Sequence, residues 1–251
     1  MDKDFKITFL GTSAASISPR APTSAYLVGS GDTRIMVDAG IGALRQLLKT
    51  GLSPDILDTI LLTHWHLDHF AGLPALIRSR TASPSLPIFG PKPPLYVRVL
   101  LNSLFPTVAK SFTKIKDYHK LQYADLTADS FPVSHKIPAV GWILAENTPE
   151  NRRIVISGDT MPSKTVIYSA AEADLLVYEA TYLEKHRARA VRSKHSTVSE
   201  AATLAVNCNV KRLALTHTSS RYTSSEIREE FKGIFPSALI PQPHTSILIE
   251  N

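Results

Sequence analysis

The sequence holds a single cysteine, Cys208, so no internal disulfide can form and no cluster of thiolates can bind a metal. Cys208 falls in an alanine-rich helical stretch, which suits a buried, inert thiol. Acids are also in short supply. There are 22 Asp and Glu against 28 Lys and Arg, and the resulting formal charge of +6 favours an anionic partner while saying nothing of the fold. No apolar run approaches the roughly 18 residues that a membrane span needs. The start, Met1-Asp2-Lys3-Asp4-Phe5-Lys6, passes into a strand-like stretch without the apolar core of a signal peptide. A soluble, cytoplasmic protein that does not enter a membrane is therefore expected. Internal repeats and low-complexity tracts are absent as well. With 251 residues and 43% hydrophobic content, the chain is long enough for one large core, so a single domain over residues 1–251 is expected.

Short apolar runs alternate with helical patterns along the chain. Strands are expected at 7–10, 25–28, 35–37, 60–62, 154–156, 175–177, 213–215 and 247–249. Helices are expected at 41–50, 72–80, 92–105, 163–171 and 197–207. The last opens on Thr197-Val198-Ser199-Glu200, a capping-box pattern. Strands and helices mixed throughout indicate α/β layering. The proline-rich stretches 84–94 and 236–243 read as loops.

Where the run Thr59-Ile60-Leu61-Leu62 ends, Thr63-His64-Trp65-His66-Leu67-Asp68-His69 places three imidazoles and a carboxylate within seven residues. Imidazole and carboxylate are common ligands of first-row metals. Strand alternation sends His64 and His66 to one side, and a turn beyond them can present Asp68 and His69 to a second position. Two neighbouring divalent ions are expected, zinc first and manganese as the alternative, because no thiolate is at hand.

His64-Trp65-His66-Leu67-Asp68-His69 is similar to the His-x-His-x-Asp-His signature of the metallo-β-lactamase superfamily. Other blocks resemble the ribonuclease Z branch in the same order. They are Phe9-Leu10-Gly11-Thr12-Ser13, Pro19-Arg20, Thr23-Ser24, Asp38-Ala39-Gly40 and Arg45-Gln46-Leu47-Leu48. Further on come Pro87-Ile88-Phe89-Gly90-Pro91, the stretch from His135 to Gly141, and Ser157-Gly158-Asp159-Thr160. Last are Glu179-Ala180-Thr181, His195-Ser196-Thr197, Leu215-Thr216-His217 and Ser220-Arg221-Tyr222. The resemblance implies a four-layer αβ/βα sandwich with the metals at one edge. It also implies that His64, His66 and His135 hold one ion, that Asp68, His69 and His217 hold the other, and that Asp159 bridges them. Asp68 would orient or deprotonate the attacking water, His195 would donate a proton to the leaving group, Glu179 would orient His195, and Arg221 would contact phosphate. His119, His186 and His244 match no block and are expected in surface or structural roles.

The activity implied is metal-dependent phosphodiester hydrolysis, with RNA such as a transfer-RNA 3′ trailer as the substrate. The alternatives are a small phosphodiester such as a cyclic nucleotide, or a thioester or lactone. A homodimer is compatible with this reading. Two basic stretches adjoin the motifs. Residues 78–120 carry eight Lys or Arg and one acid, Asp117, and Lys185-His186-Arg187-Ala188-Arg189 leads through Arg192 to Lys194. If they line the approach to the metals, they would meet RNA phosphates. The chain departs from the branch in three places. The short stretch from Lys136 to Gly158 leaves no room for the protruding arm that grips transfer RNA. Leu67 stands where Gly is common and Tyr178 where His is common, two changes that would alter pocket shape.

Overall fold

In the computed structural model, which describes residues 4–15, 21–82, 86–114 and 119–250, the apolar runs become strands of two sheets. Pro19-Arg20, Pro84 and Asp117 lie outside the described residues. The first sheet contains β1 (Lys6–Gly11), β2 (Ala25–Ser30), β3 (Thr33–Val37), β4 (Thr59–Leu61), β5 (Ile88–Gly90) and β6 (Phe112–Lys114). The second contains β7 (Lys120–Gln122), β8 (Leu126–Pro132), β9 (Val140–Glu146), β10 (Arg153–Ile156), β11 (Leu175–Glu179) and β12 (Leu213–Thr216). A last strand, β13 (Ser246–Leu248), returns to pair antiparallel with β1. The sheet orders are β13-β1-β2-β3-β4-β5-β6 and β12-β11-β10-β9-β8-β7.

Side-chain alternation builds the layers. Along β3, Ile35 and Val37 enter the core between the sheets, whereas Met36 faces outward. Along β11, Leu175 and Val177 enter the same central core, while Leu176 and Tyr178 face the other way. Each outward face needs an apolar cover, and helices supply it. Over the first sheet lie α1 (Ala43–Lys49), α2 (Leu67–Phe70), α3 (Leu73–Arg78), α4 (Leu95–Leu104) and α5 (Pro106–Ser111), with Leu47, Phe70, Leu76, Val97 and Val108 packed on Met36 and its neighbours. Over the second lie α6 (Lys164–Ala170), α8 (Val198–Asn207) and α9 (Ser224–Phe231), with Val166, Leu204 and Phe231 in one cluster with Tyr178. The short α7 (Arg187–Ser193) precedes α8. The result is helix, sheet, sheet, helix: the expected αβ/βα sandwich.

Every strand expected from an apolar run is present, as is every expected helix. The Thr197 box forms in full, with Thr197 accepting from the Glu200 amide and Glu200 accepting from the Thr197 amide. Three differences bear on the site. β4 stops at Leu61, so His64 and His66 lie beyond the strand, and His66 caps α2 from an extended conformation (φ −82°, ψ 147°). The proline-rich stretch 84–94 contains β5, three residues wedged parallel between β4 and β6. Between β9 and β10 there is only the turn 147–152, a tight hairpin in the place where an arm would have to emerge.

Parallel pairing aims the chemistry. β3–β4 and β10–β11–β12 run parallel, so their carboxyl ends open on one rim. Crevices beyond the carboxyl ends of parallel strands are where such sheets bind ligands.

Candidate metal centre

Asp38 follows β3, His64 follows β4, Asp159 follows β10, Glu179 ends β11 and His217 follows β12, so residues far apart in sequence meet at that rim. His135 arrives from the loop after β8, held by a bridge between Ser134 and Met161. Several of these positions have backbones in the left-handed region: Asp38 (φ 57°), His217 (φ 53°) and Gly158 (φ 61°). At Gly158 an added Cβ would also lie 2.8 Å from Thr63 Cβ, so only glycine lets β10 turn into Asp159 against the histidine loop. At Gly40 a Cβ would fall 2.2 Å from the Asp68 carbonyl oxygen, so its absence lets α2 approach.

The donor atoms form two groups that share Asp159. His66 Nδ1 lies 2.9 Å from His64 Nε2 and 3.2 Å from His135 Nε2. Asp159 Oδ2 faces this trio at 3.5 Å from His64 and 3.9 Å from His135. Asp159 Oδ1 faces the other group, 3.4 Å from both His69 Nε2 and His217 Nε2. Asp68 Oδ2 completes that group at 3.2 Å from His217 Nε2 and 3.6 Å from His69 Nε2.

Hydrogen bonds behind the rings fix which nitrogen faces inward. Thr63 Oγ1 donates to Asp38 Oδ2 (2.8 Å) and is left to accept from His64 Nδ1 (3.0 Å). His69 Nδ1 donates to Asp38 Oδ2 (2.7 Å), and His135 Nδ1 donates to the Lys194 carbonyl (3.1 Å). Thr181 Oγ1 donates to Glu179 Oε2 (2.8 Å) and accepts from His217 Nδ1 (2.8 Å). In each case Nε2 points into the cluster, where once deprotonated it presents its lone pair, the arrangement that metal-ligating histidines adopt.

The electrostatics suit bound cations. Burial pulls His69 down, but the Asp159 and Asp38 carboxylates outweigh it and hold the ring well above the ordinary imidazole range. Burial opposes ionisation of Asp159 and Asp68. The neighbouring histidines overcome it, keeping Asp159 well below the carboxylate range and Asp68 at about 2. Burial lowers His64 well below its usual value and His135 to about 4, so both rings are neutral and able to ligate at pH 7. His69 Nε2 and Asp159 Oδ1 are buried and have no hydrogen-bond partner. Unpaired buried polar atoms are costly, and a divalent cation in the Asp68, His69 and His217 group would satisfy both. The donor atoms of His64, His66, His135 and Asp159 gather as a second group of metal-ligating type, so the residues fit two ions.

Beside the cluster, His195 Nδ1 donates to Glu179 Oε1 (2.8 Å), and its ring stacks on that of His217 with centroids 5.4 Å apart. Burial works against protonation of His195, but Glu179 prevails and raises it to about 9. Glu179 Oε1 also accepts from the Thr160 amide and Oε2 from the Thr181 amide, so this carboxylate is held from four directions.

All the expected metal-site residues, with His195 and Glu179, thus meet in one place. Arg221 does not join them. It is exposed on the loop after His217, where Nη1 donates to Ser219 Oγ (3.4 Å), and it lines a separate cavity. Tyr178 is fully buried in the outer core, where its hydroxyl accepts from Ser196, so it does not shape the site. Leu67 stands exposed at the start of α2. Tyr222 packs in the core with its hydroxyl 2.6 Å from His186 Nδ1. Sequence reasoning missed the supports Asp38, Thr63, Thr181 and the Lys194 carbonyl. Asp38 and Thr181 stand in blocks that had been noted without a role, whereas a backbone carbonyl leaves no sequence signal.

A fold and site of this kind define a metal-dependent hydrolase. The description of the β-lactamase superfamily domain matches residues 33–218. The ribonuclease Z of Bradyrhizobium diazoefficiens is 31% identical, with 98% of this chain and 100% of that protein covered. Human tRNase Z, short form, superposes with a TM-score of 0.80 at 27% identity, covering 98% of this chain and 100% of that one. The metallo-β-lactamase fold protein YhfI from Bacillus subtilis has a TM-score of 0.84 at 22% identity, covering 99% of this chain and 100% of that one, a likeness of fold alone. The chain belongs to the β-lactamase superfamily, on its ribonuclease Z branch. The bradyrhizobial alignment runs over 300 positions against 251 residues here, so at least 49 positions of that relative have no counterpart in this chain. No helix among the described residues is long and apolar enough to cross a membrane.

Proposed function

We propose that residues 1–251 act as one domain, a binuclear phosphodiesterase that cleaves RNA. The observation that carries this is the division of Asp159, with one oxygen toward each histidine group, beside the Glu179–His195 pair. His64, His66 and His135 would hold one ion, Asp68, His69 and His217 the other, and Asp159 both. Zinc suits the imidazole-rich set, with manganese as the alternative. Two such ions acidify a shared water and neutralise charge developing on a phosphoryl oxygen.

The side chains account for the proton transfers. Asp68 stays ionised at neutral pH and directs only Oδ2 at His217, so Oδ1 is free to orient the attacking water and accept its proton. As the bond from phosphorus to the leaving oxygen breaks, that oxygen needs a proton. Glu179 occupies His195 Nδ1, which puts the transferable proton on Nε2. Arg221, unpaired with any carboxylate among the described residues, is available to a flanking phosphate.

The test is to compare, with metal content measured, the turnover of precursor transfer RNA, unstructured RNA, a cyclic nucleotide and bis-p-nitrophenyl phosphate. RNA cleavage with little preference for the folded precursor is expected. Cyclic-nucleotide turnover without RNA cleavage would favour the small-diester reading, which the tight 147–152 turn makes the natural second choice. Both an RNA substrate and a site free of thiolates suit the cytoplasm. Exposed Leu95, Tyr96, Val99 and Leu104 on α4 support self-association into a homodimer, which sedimentation would detect.

A further inference from the structure

On the far side of the His217 loop two cavities meet. The first, about 280 Å³, is bounded by Thr218 and Ser219, which directly follow His217, and by Arg221. The second, about 660 Å³, is bounded by Arg45, Gln46 and Lys49 of α1 and by His244. Ala21 and Gln242 line both, so the two adjoin. Although the chain has 22 acids, no carboxylate among the described residues lines either cavity.

The charges here differ from those of Lys185 and Arg187. Lys185 pairs with Glu226, and Arg187 pairs with both Glu184 and Glu200, so these two cations are already neutralised, whereas Arg189, Arg192 and Lys194 stay exposed. Arg45 and Lys49, one turn apart on α1, are exposed and form no ion pair among the described residues. Between them Gln46 is only 9% exposed, and its Oε1 is buried without a partner. A buried acceptor left unmade is costly, and because Gln46 lines the second cavity, a rotation of its amide would bring that oxygen to a ligand that carries both phosphates and hydrogen-bond donors. A nucleotide strand does so, through base amino groups and ribose 2′-hydroxyls.

We propose that the adjoining cavities together form a track that carries a single-stranded RNA segment away from the metal centre, with Arg221, Arg45 and Lys49 on successive phosphates and Gln46 accepting from a base or ribose. The proposal rests on the RNA reading above. It extends to α1 the role expected of the Lys185–Lys194 run, and it gives the block Arg45-Gln46-Leu47-Leu48 a function.

The test is equilibrium binding of a fluorescein-labelled ten-nucleotide oligouridylate to metal-loaded protein, with His195→Ala in every sample so that the strand survives. Arg45→Ala with Lys49→Ala should weaken binding roughly tenfold at 50 mM salt and flatten the slope of log affinity against log salt by roughly 1.4, about 0.7 per lost single-strand contact. Gln46→Met should weaken binding several-fold with the slope unchanged. Lys185→Ala with Arg187→Ala removes the same charge and should leave both quantities at the parent values. Wild-type affinity and slope in the Arg45/Lys49 variant, an equal loss in the Lys185/Arg187 variant, or no binding by the parent would each overturn the proposal. Track-dependent binding by a phosphodiesterase that cleaves no RNA would uphold the track and refute the RNA-hydrolase reading.

Discussion

Glu179→Gln is the sharpest probe of the proton donor. Glu179 raises His195 from an ordinary imidazole value to about 9 against the opposing effect of burial. Removing the charge leaves burial opposed only by the weaker pull of Asp159, so the ring should titrate near the ordinary imidazole value of about 6.5. At pH 8 the protonated fraction would fall from about nine-tenths to about one-thirtieth, a loss near thirty-fold in any step that needs this proton. The assay is kcat/KM against pH for two diesters, one with an alkoxide leaving group and one releasing p-nitrophenolate. The alkoxide substrate should lose its activity above about pH 6.5 in the variant instead of above about pH 9, and recover at acid pH, while the p-nitrophenyl substrate changes little. Stability should follow the same titration. A histidine raised by its partner contributes stability fully below about pH 6.5, and that contribution is lost as pH rises through about 9, so the wild-type melting temperature should decline over this window and the variant's should not. Identical pH profiles for the two enzymes on the alkoxide substrate would refute the reasoning.

Three further outcomes are expected. Asp159→Ala should lose both ions or nearly so by elemental analysis, since its two oxygens face both groups; two ions per chain in that variant would contradict the bridging role. Thr181→Val removes the hydroxyl that joins His217 to Glu179 and should weaken metal affinity by about 10- to 100-fold, with Thr181→Ser restoring it; a valine variant of full affinity would show that the hydroxyl does not position the ligand. Glu146→Ala removes the buried carboxylate that accepts from Arg152 Nε (2.5 Å) and Nη2 (3.2 Å), leaves the Nη1 bond to the Ile249 carbonyl, and should cost about 3 kcal/mol in urea unfolding; a change below about 1 kcal/mol would mean that solvent replaces the pair.

The strands with continuous apolar runs, such as 154–156 and 213–215, were legible because both of their faces are buried. β8 was not. Its sequence Leu-Thr-Ala-Asp-Ser-Phe-Pro buries alternate residues that include small and polar ones, so no run stands out. Thr223-Ser224-Ser225-Glu226 forms a second capping box of the kind recognised at Thr197, yet α9 escaped notice because few apolar residues follow it. At the site, residue types and order foretold which side chains would gather. The resemblance also implied a bridging Asp159, and its two oxygens do face the two groups, but the hydrogen bonds that aim the rings depend on how the strands leave the sheets and left no signal in the sequence. In the basic run from Lys185, the pairing of Lys185 with Glu226 and of Arg187 with Glu184 and Glu200 is a three-dimensional fact that charge counting cannot supply.

The origin of the donor atoms has a consequence for folding. His64, His66, Asp68 and His69 belong to the half of the chain built on the first sheet, whereas His135, Asp159 and His217 belong to the half built on the second. Each proposed ion would therefore be held from both halves and act as a cross-link between them. Ligands of this kind scarcely assemble in an unfolded chain, so their binding energy becomes folding energy. A chelator should then loosen the seam between the sheets as well as silence the enzyme. In a metal-starved cell the same linkage would appear as a shorter lifetime of the protein itself.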